Sequence, residues 1–333
     1  MRRTLITAVA AALVAAVPAP AVSAAPCAPA PAADTSTAAG WTGYLAQHRD
    51  DVALVVDDGR GGTIRHRADA AMPTASMLKL IHLAALTGRA GAGGIDLNER
   101  IRVADWQKWY IDHEGTPVDG GAHIKALEYL GIPATKGVPN DPSGSVSLHQ
   151  LADVMIRFSD SAAPDAIRAR LGDEALQEVM TRYGMPGPVP SLKGLYEGIT
   201  GSGAATEQQA YAAIDRTYAA PAASFARLIG DLGTGRFGPG SEAARRFLEF
   251  QGAAPEGLAA LGFKGGSLFG VLTEAFEGRR ADGSVTVGVL MVRRASAQDV
   301  RKDVEAGMPH QQLLVRAMTD DGTRTRVACA LRS

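Results

Sequence analysis

The sequence predicts an α/β fold in two lobes, an α+β lobe with helices flanking a sheet and a second lobe that is all helix. Three observations predict it. Strand patterns occur near the start, at 51–57 and 62–68, and resume only at 260–265, 271–276 and 285–292. Between them lies a long stretch dominated by helical periodicity. The outer segments can therefore share one sheet while the middle helices form their own lobe, and long loops at such a seam are where sites tend to lie. The sheet lobe is expected over about 40–95 and 215–333, and the helical lobe over about 96–214.

The elements follow in order. Residues 41–49 read as a short helix. Residues 51–57 (DVALVVD) and 62–68 (GTIRHRA) read as strands joined by a glycine turn at Gly59-Arg60-Gly61. Ser76 opens an apolar run, 77–86, that suits a buried helix. Residues 95–103 form a polar connector. Residues 105–141 are irregular, rich in Pro, Gly and aromatics, and read as an insertion bordering the site. Helical patterns return at 147–158, 163–171 and 173–183. Residues 186–202 are Gly/Pro-rich and read as a long loop. Helix resumes over 206–232, interrupted at Pro221, and over 241–250, and a final helix covers 308–318. No internal repeat is visible.

The 333 residues, 46% of them hydrophobic, suffice for a buried core. A formal net charge of −1 gives no support to nucleic acid or an anionic membrane as partner. Met1-Arg2-Arg3, an apolar run over 5–17 and small residues at Val22-Ser23-Ala24 fit a signal peptide over 1–24, cleaved after Ala24; the run is short for a membrane anchor. Localisation outside the cytoplasm follows as an expectation. Ala/Pro-rich residues 25–39 read as a flexible leader, and 40–333 as the functional domain. The two cysteines, Cys27 and Cys329, lie at opposite ends. They either pair, which needs the termini to meet, or remain two free thiols.

Three short motifs occur in order: Ser76-Met77-Leu78-Lys79, Ser159-Asp160-Ser161 and Lys264-Gly265-Gly266-Ser267. In the first, serine at a helix start and lysine three residues on share one helix face. The positive end of the helix favours charge developing on the hydroxyl. The lysine can take the serine proton only when neutral, so burial or a second cation must lower its pKa, and Lys264 is the obvious second cation. Ser159, on a turn after an apolar helix, suits a proton relay. The backbone after Lys264 and the Ser76 amide can supply an oxyanion hole.

The ordered motifs, with two strands before the serine, a helical middle and strands after Lys264, resemble the S-x-x-K, S-D-N and K-T-G set of class A β-lactamases and penicillin-binding proteins. The resemblance covers about 41–318. It implies a β-lactamase/transpeptidase-like fold and a serine hydrolase with Ser76 acylated, Lys79 as base and Ser159 as relay. Ser161, Lys264, Gly265, Gly266 and Ser267 would bind substrate, a β-lactam or a cell-wall-like peptide. A β-lactamase activity, and with it antibiotic resistance, leads. A D-alanyl-peptide carboxypeptidase, another amide or ester hydrolase, and a non-catalytic binding protein on the same fold are the alternatives. The chain departs from the pattern at three places. Ser161 stands for asparagine, Gly265 for Thr or Ser, and the glutamate-bearing R-x-E-x-x-L-N loop is missing; Glu197 is the candidate water-activating base in its place.

No cofactor and no metal are expected, because His48, His66, His82, His113, His123, His149 and His310 lack any H-E-x-x-H-like spacing. Gly233-Thr234-Gly235-Arg236-Phe237-Gly238 fits G-x-G-x-x-G but follows a helix pattern, the wrong setting for a dinucleotide. A monomer acting on a small molecule or peptide is the expectation, with no membrane contact after signal cleavage.

Overall fold

A computed structural model describes residues 27–332 except 114, 115 and 118. The signal-peptide expectation falls on 1–24 and lies outside the described residues.

Five strands form the main sheet: β1 (Val52–Asp57), β2 (Thr63–His66), β3 (Ala260–Leu268), β4 (Val271–Arg279) and β5 (Val285–Val292). Their order is β3-β4-β5-β1-β2, every pairing antiparallel, so the two ends of the sequence build one sheet as expected. In β1, β4 and β5 successive side chains point to opposite faces and nearly all are buried, so both faces are covered. Leu54, Leu272, Phe276, Leu290 and Val292 pack on one side against α1 (Ala38–Gln47) and the C-terminal helices. Ala53, Val55, Ala275, Val289 and Met291 pack on the other, against the helical lobe.

That lobe is built around α2 (Lys79–Gly91), with α3 (Leu148–Arg157), α4 (Ala163–Leu171), α5 (Asp173–Tyr183), α6 (Leu192–Thr200) and α7 (Ala222–Thr234). Shorter helices, Val103–Gln107, Ala122–Tyr129, Glu207–Ile214 and Ser241–Leu248, complete this part. Leu80, Ile81, Leu83, Ala84 and Leu86 of α2 share a core with Met155, Ile167 and Leu176. The lobe boundary expected at about 95 therefore falls earlier, because α2 is apolar on nearly every face and needs helices around it.

Three further corrections concern local structure. The stretch 186–202 is not all loop: Ser191 caps α6, its hydroxyl accepting from Gly194 N at 2.9 Å. The C-terminus holds three helices rather than one, α8 (Ala297–Glu305), α9 (Pro309–Thr319) and α10 (Asp321–Arg332). The leader is tied down from Thr35 onward. Thr35 is buried, its hydroxyl donates to Asp299 O at 2.8 Å, and Cys27 is joined to Cys329 with Cα atoms 5.5 Å apart. Of the two states open for the cysteines, the paired one is observed. No helix among the described residues is long and apolar enough to cross a membrane.

Candidate active site

Ser76 sits in a 3-10 turn, Ala75–Leu78, that runs directly into α2 at Lys79. Ala75 enters it with φ of 44°, in the left-handed region that costs a residue with a Cβ. The serine is nearly buried and Lys79 is wholly so. Lys79 Nζ lies 2.9 Å from Ser76 Oγ.

The second motif closes on the same amine. α3 begins in a capping box, where Ser147 Oγ accepts from Gln150 N and the Gln150 side chain accepts from Ser147 N. The helix ends at Phe158, and Ser159 follows with φ of 61°. That turn aims two groups of one residue at Lys79 Nζ, the Ser159 carbonyl at 2.6 Å and its hydroxyl at 3.1 Å. Ser161 Oγ lies 3.2 Å from the same nitrogen. The shorter serine thus reaches the lysine without the missing asparagine.

Asp160 points the other way, into the helical lobe, and fixes this turn. Its carboxylate accepts from Trp106 Nε1 at 2.8 Å and Ala163 N at 2.8 Å, and meets His123 Nδ1 at 2.9 Å. Burial alone would push this carboxyl up, but the His123 and Trp106 contacts and the Lys79 charge outweigh it and hold it below its ordinary value. Part of the irregular insertion therefore does border the site, as support for its second motif.

Lys264 comes from β3, the edge strand. Its Nζ donates to Ser159 Oγ at 3.0 Å and to Gly265 O. Ser159 Oγ is thus within hydrogen-bond reach of both lysines. Gly266 lets the strand pass close to the nucleophile: a Cβ there would lie 2.4 Å from Ser76 N. Ser267 lines the cleft.

Burial lowers the Lys79 pKa from 10.5 to about 8, although Asp160, Asp119 and Asp165 pull it upward. Burial and the Lys79 charge together hold Lys264 well below its ordinary value. Both shifts favour neutral amines in the pocket, as a base at Ser76 requires.

Glu197 does not join this group. It lies on α6, exposed and outside the cleft lining, and the reason is helical geometry: its neighbour Tyr196, about 100° around the axis, takes the inward position. Tyr196 is buried in the cleft wall beside Ser76 and Ser161, and burial raises its pKa. Asp119, also in the cleft wall, has its carboxyl raised by burial and by the Asp160 charge. Sequence reading passed over both. Tyr196 would have needed 186–202 to be read as helix, and Asp119 carries no motif. The cleft that these residues share has a volume of about 1010 Å³ and continues past Gly265 toward Glu274 and His310.

Residues 42–194 match the family model described as the Beta-lactamase enzyme family, a stretch that holds the first two motifs. Among solved structures, a β-lactamase from Sphaerobacter thermophilus DSM 20745 is 18% identical with a TM-score of 0.57, covering 84% of this chain and 97% of its own. PBP-A is 16% identical with a TM-score of 0.56, over 83% and 96%. A β-lactamase from Chitinophaga pinensis DSM 2588 is 14% identical with a TM-score of 0.57, over 82% and 97%. At these identities the structures share the fold. No curated protein sequence matches the chain. With two of its motifs inside the matched stretch, the chain is similar over 42–194 to the Beta-lactamase enzyme family, and it shares its fold with these β-lactamase and PBP-A structures.

Proposed function

We propose that this protein is an exported serine hydrolase in which an amide or ester substrate acylates Ser76, and that the acyl-enzyme is released slowly when a β-lactam forms it. The observation that carries the reading is the hydrogen-bonded chain from Ser76 through Lys79 and Ser159 to Lys264. Neutral Lys79 takes the Ser76 proton as Oγ attacks the carbonyl carbon. The carbon–nitrogen or carbon–oxygen bond then breaks, and the leaving group takes a proton through Ser159. Water hydrolyses the resulting ester, freeing an acid and restoring the Ser76 hydroxyl.

The second half is where the cleft is poorly equipped. Glu197 faces away, and the Tyr196 phenol, with its pKa raised, is a weak base near neutrality. An acylated PBP-A variant with penicillin G is known among the structures that share this fold. The Cys27–Cys329 bond adds support for export, since such bonds persist in oxidising compartments.

The test is intact mass of the protein after incubation with benzylpenicillin. The reading expects one added penicillin that persists for many catalytic lifetimes and is missing in Ser76→Ala. Unmodified wild-type protein with intact drug would support the non-catalytic alternative. Unmodified protein with hydrolysed drug would support an efficient β-lactamase.

A further inference from the structure

The cleft does not end at the four catalytic groups. Beyond Gly265 it opens toward the face of the sheet covered by α8 and α9, and there its wall is acidic. Glu274 of β4 is paired in register with Gly265 and is 4% exposed. Its Oε1 is well served, by His310 Nε2 at 2.7 Å and Gln311 Nε2 at 3.1 Å. Its Oε2 has no hydrogen-bond partner among the described residues. A buried carboxylate oxygen left unpaired is costly, and sites where one persists call for an explanation.

Gly265 explains where that oxygen is directed. A Cβ at 265 would lie 2.4 Å from Oε2. With no side chain at 265, Oε2 and the Phe263 ring take up the room a Cβ would fill, and Glu274 forms part of the cleft wall at this strand. Behind it, His310 Nδ1 lies 2.6 Å from Asp303 Oδ2, a close ion-pair contact without hydrogen-bond alignment. Trp41 Nε1 donates to Asp303 Oδ1 at 2.7 Å and holds this carboxylate in place. Burial works against a charge on His310, but the contacts with Asp303 and Glu274 outweigh it and raise its pKa to about 9. Two carboxylates against one imidazolium leave the arm with an excess of one negative charge. Val304 and Met308, both exposed apolar side chains, stand at its rim.

We propose that this arm is a subsite for a primary ammonium group carried on a short apolar stem, the nitrogen donating to Glu274 Oε2 and the stem lying over Val304 and Met308. The proposal rests on the reading of Ser76 as the acylated residue, since it makes that ammonium part of the same substrate. An anionic group placed here would face an unpaired carboxylate, so substrates whose carboxylate must sit beside Gly265 are disfavoured. The favoured substrate class is an amide or ester bearing an amine close to the scissile bond.

The test uses three aryl phenylacetates whose leaving phenol carries a meta aminomethyl group, a meta carboxyl group or neither. A charge-assisted hydrogen bond of ordinary strength gives about a tenfold to hundredfold preference. The aminomethyl ester should acylate wild type at least about tenfold faster than the carboxyl ester, and Glu274→Gln should close that gap. Equal rates in wild type, a preference for the carboxyl ester, or an unchanged gap in Glu274→Gln would overturn the proposal. Equilibrium binding of benzylammonium and benzoate, followed by NMR on wild type, Ser76→Ala and Glu274→Gln, separates this from the acylation reading. If no ester labels Ser76 yet benzylammonium binds wild type and Ser76→Ala but not Glu274→Gln, the serine reading fails and the subsite stands. If the esters label Ser76 but benzylammonium binds no better than benzoate, the subsite fails alone. Should Glu274→Gln not fold, Gly265→Ala reads the same space, and it should weaken benzylammonium binding.

Discussion

Replacing Lys79 by arginine, and following acylation across pH, isolates the role assigned to that amine. Burial lowers its pKa from 10.5 to about 8. At pH 7 an amine with a pKa of 8 is neutral about one time in ten, whereas at 10.5 it would be neutral about one time in three thousand. The pocket therefore raises the working fraction of base about 300-fold. The acylation rate of a chromogenic ester under single-turnover conditions should climb about tenfold per pH unit between about pH 6 and 8, then level off as the neutral form saturates. Arginine stays protonated throughout. Lys79→Arg should therefore lower the rate by about 10²–10⁴ and remove the inflection. A wild-type profile flat from about pH 6 to 9, or a Lys79→Arg protein with the same rate and shape, would refute the assignment.

Other outcomes follow from neighbouring contacts. Asp160→Asn removes the anion that pulls the Lys79 pKa upward, so the acylation inflection should move to lower pH, with a loss of about 2–4 kcal/mol in urea unfolding from the broken buried network. The raised His310 pKa contributes stability that is fully present below 6.5 and is lost as pH rises through about 9. The gap in unfolding free energy between wild type and His310→Asn, about 3 kcal/mol below pH 6.5, should narrow across that window; a gap constant with pH would contradict the pairing. Cys329→Ser opens a bridge spanning 302 residues and should cost about 2–4 kcal/mol, checked against wild type with and without reductant. Tyr196→Phe should slow acylation about tenfold through loss of the phenol beside Ser76 and Ser161, while Glu197→Gln stays within about twofold of wild type.

The parts of this site that were legible in the sequence are those fixed by short spacing. Ser76 and Lys79 lie three residues apart at a helix start, and Ser159-Asp160-Ser161 follows a capped amphipathic helix, so local geometry delivers both. Lys264 was legible because a strand pattern leads into it. Strand returns near the end of the chain also sufficed to place both ends in one sheet. What stayed hidden depends on distant partners or on helical phase. Asp160 looked like part of a catalytic motif, but its work is to hold Trp106 and His123 from the insertion. Glu197 failed by one residue, because on a helix one step turns a side chain from solvent to cleft. Glu274 matters through its register with Gly265, which no run of sequence announces. The glycine that read as a lost hydroxyl is, in the fold, room for the Glu274 carboxylate and the Phe263 ring.

The most direct measurement is the position of the label after a fluorophosphonate, mapped by peptide mass spectrometry on the folded protein. The account places it on Ser76, and expects it to vanish in Lys79→Arg at neutral pH while both proteins keep the same melting profile. A label on Ser159 or Ser161, or none on a protein that remains folded, would contradict it.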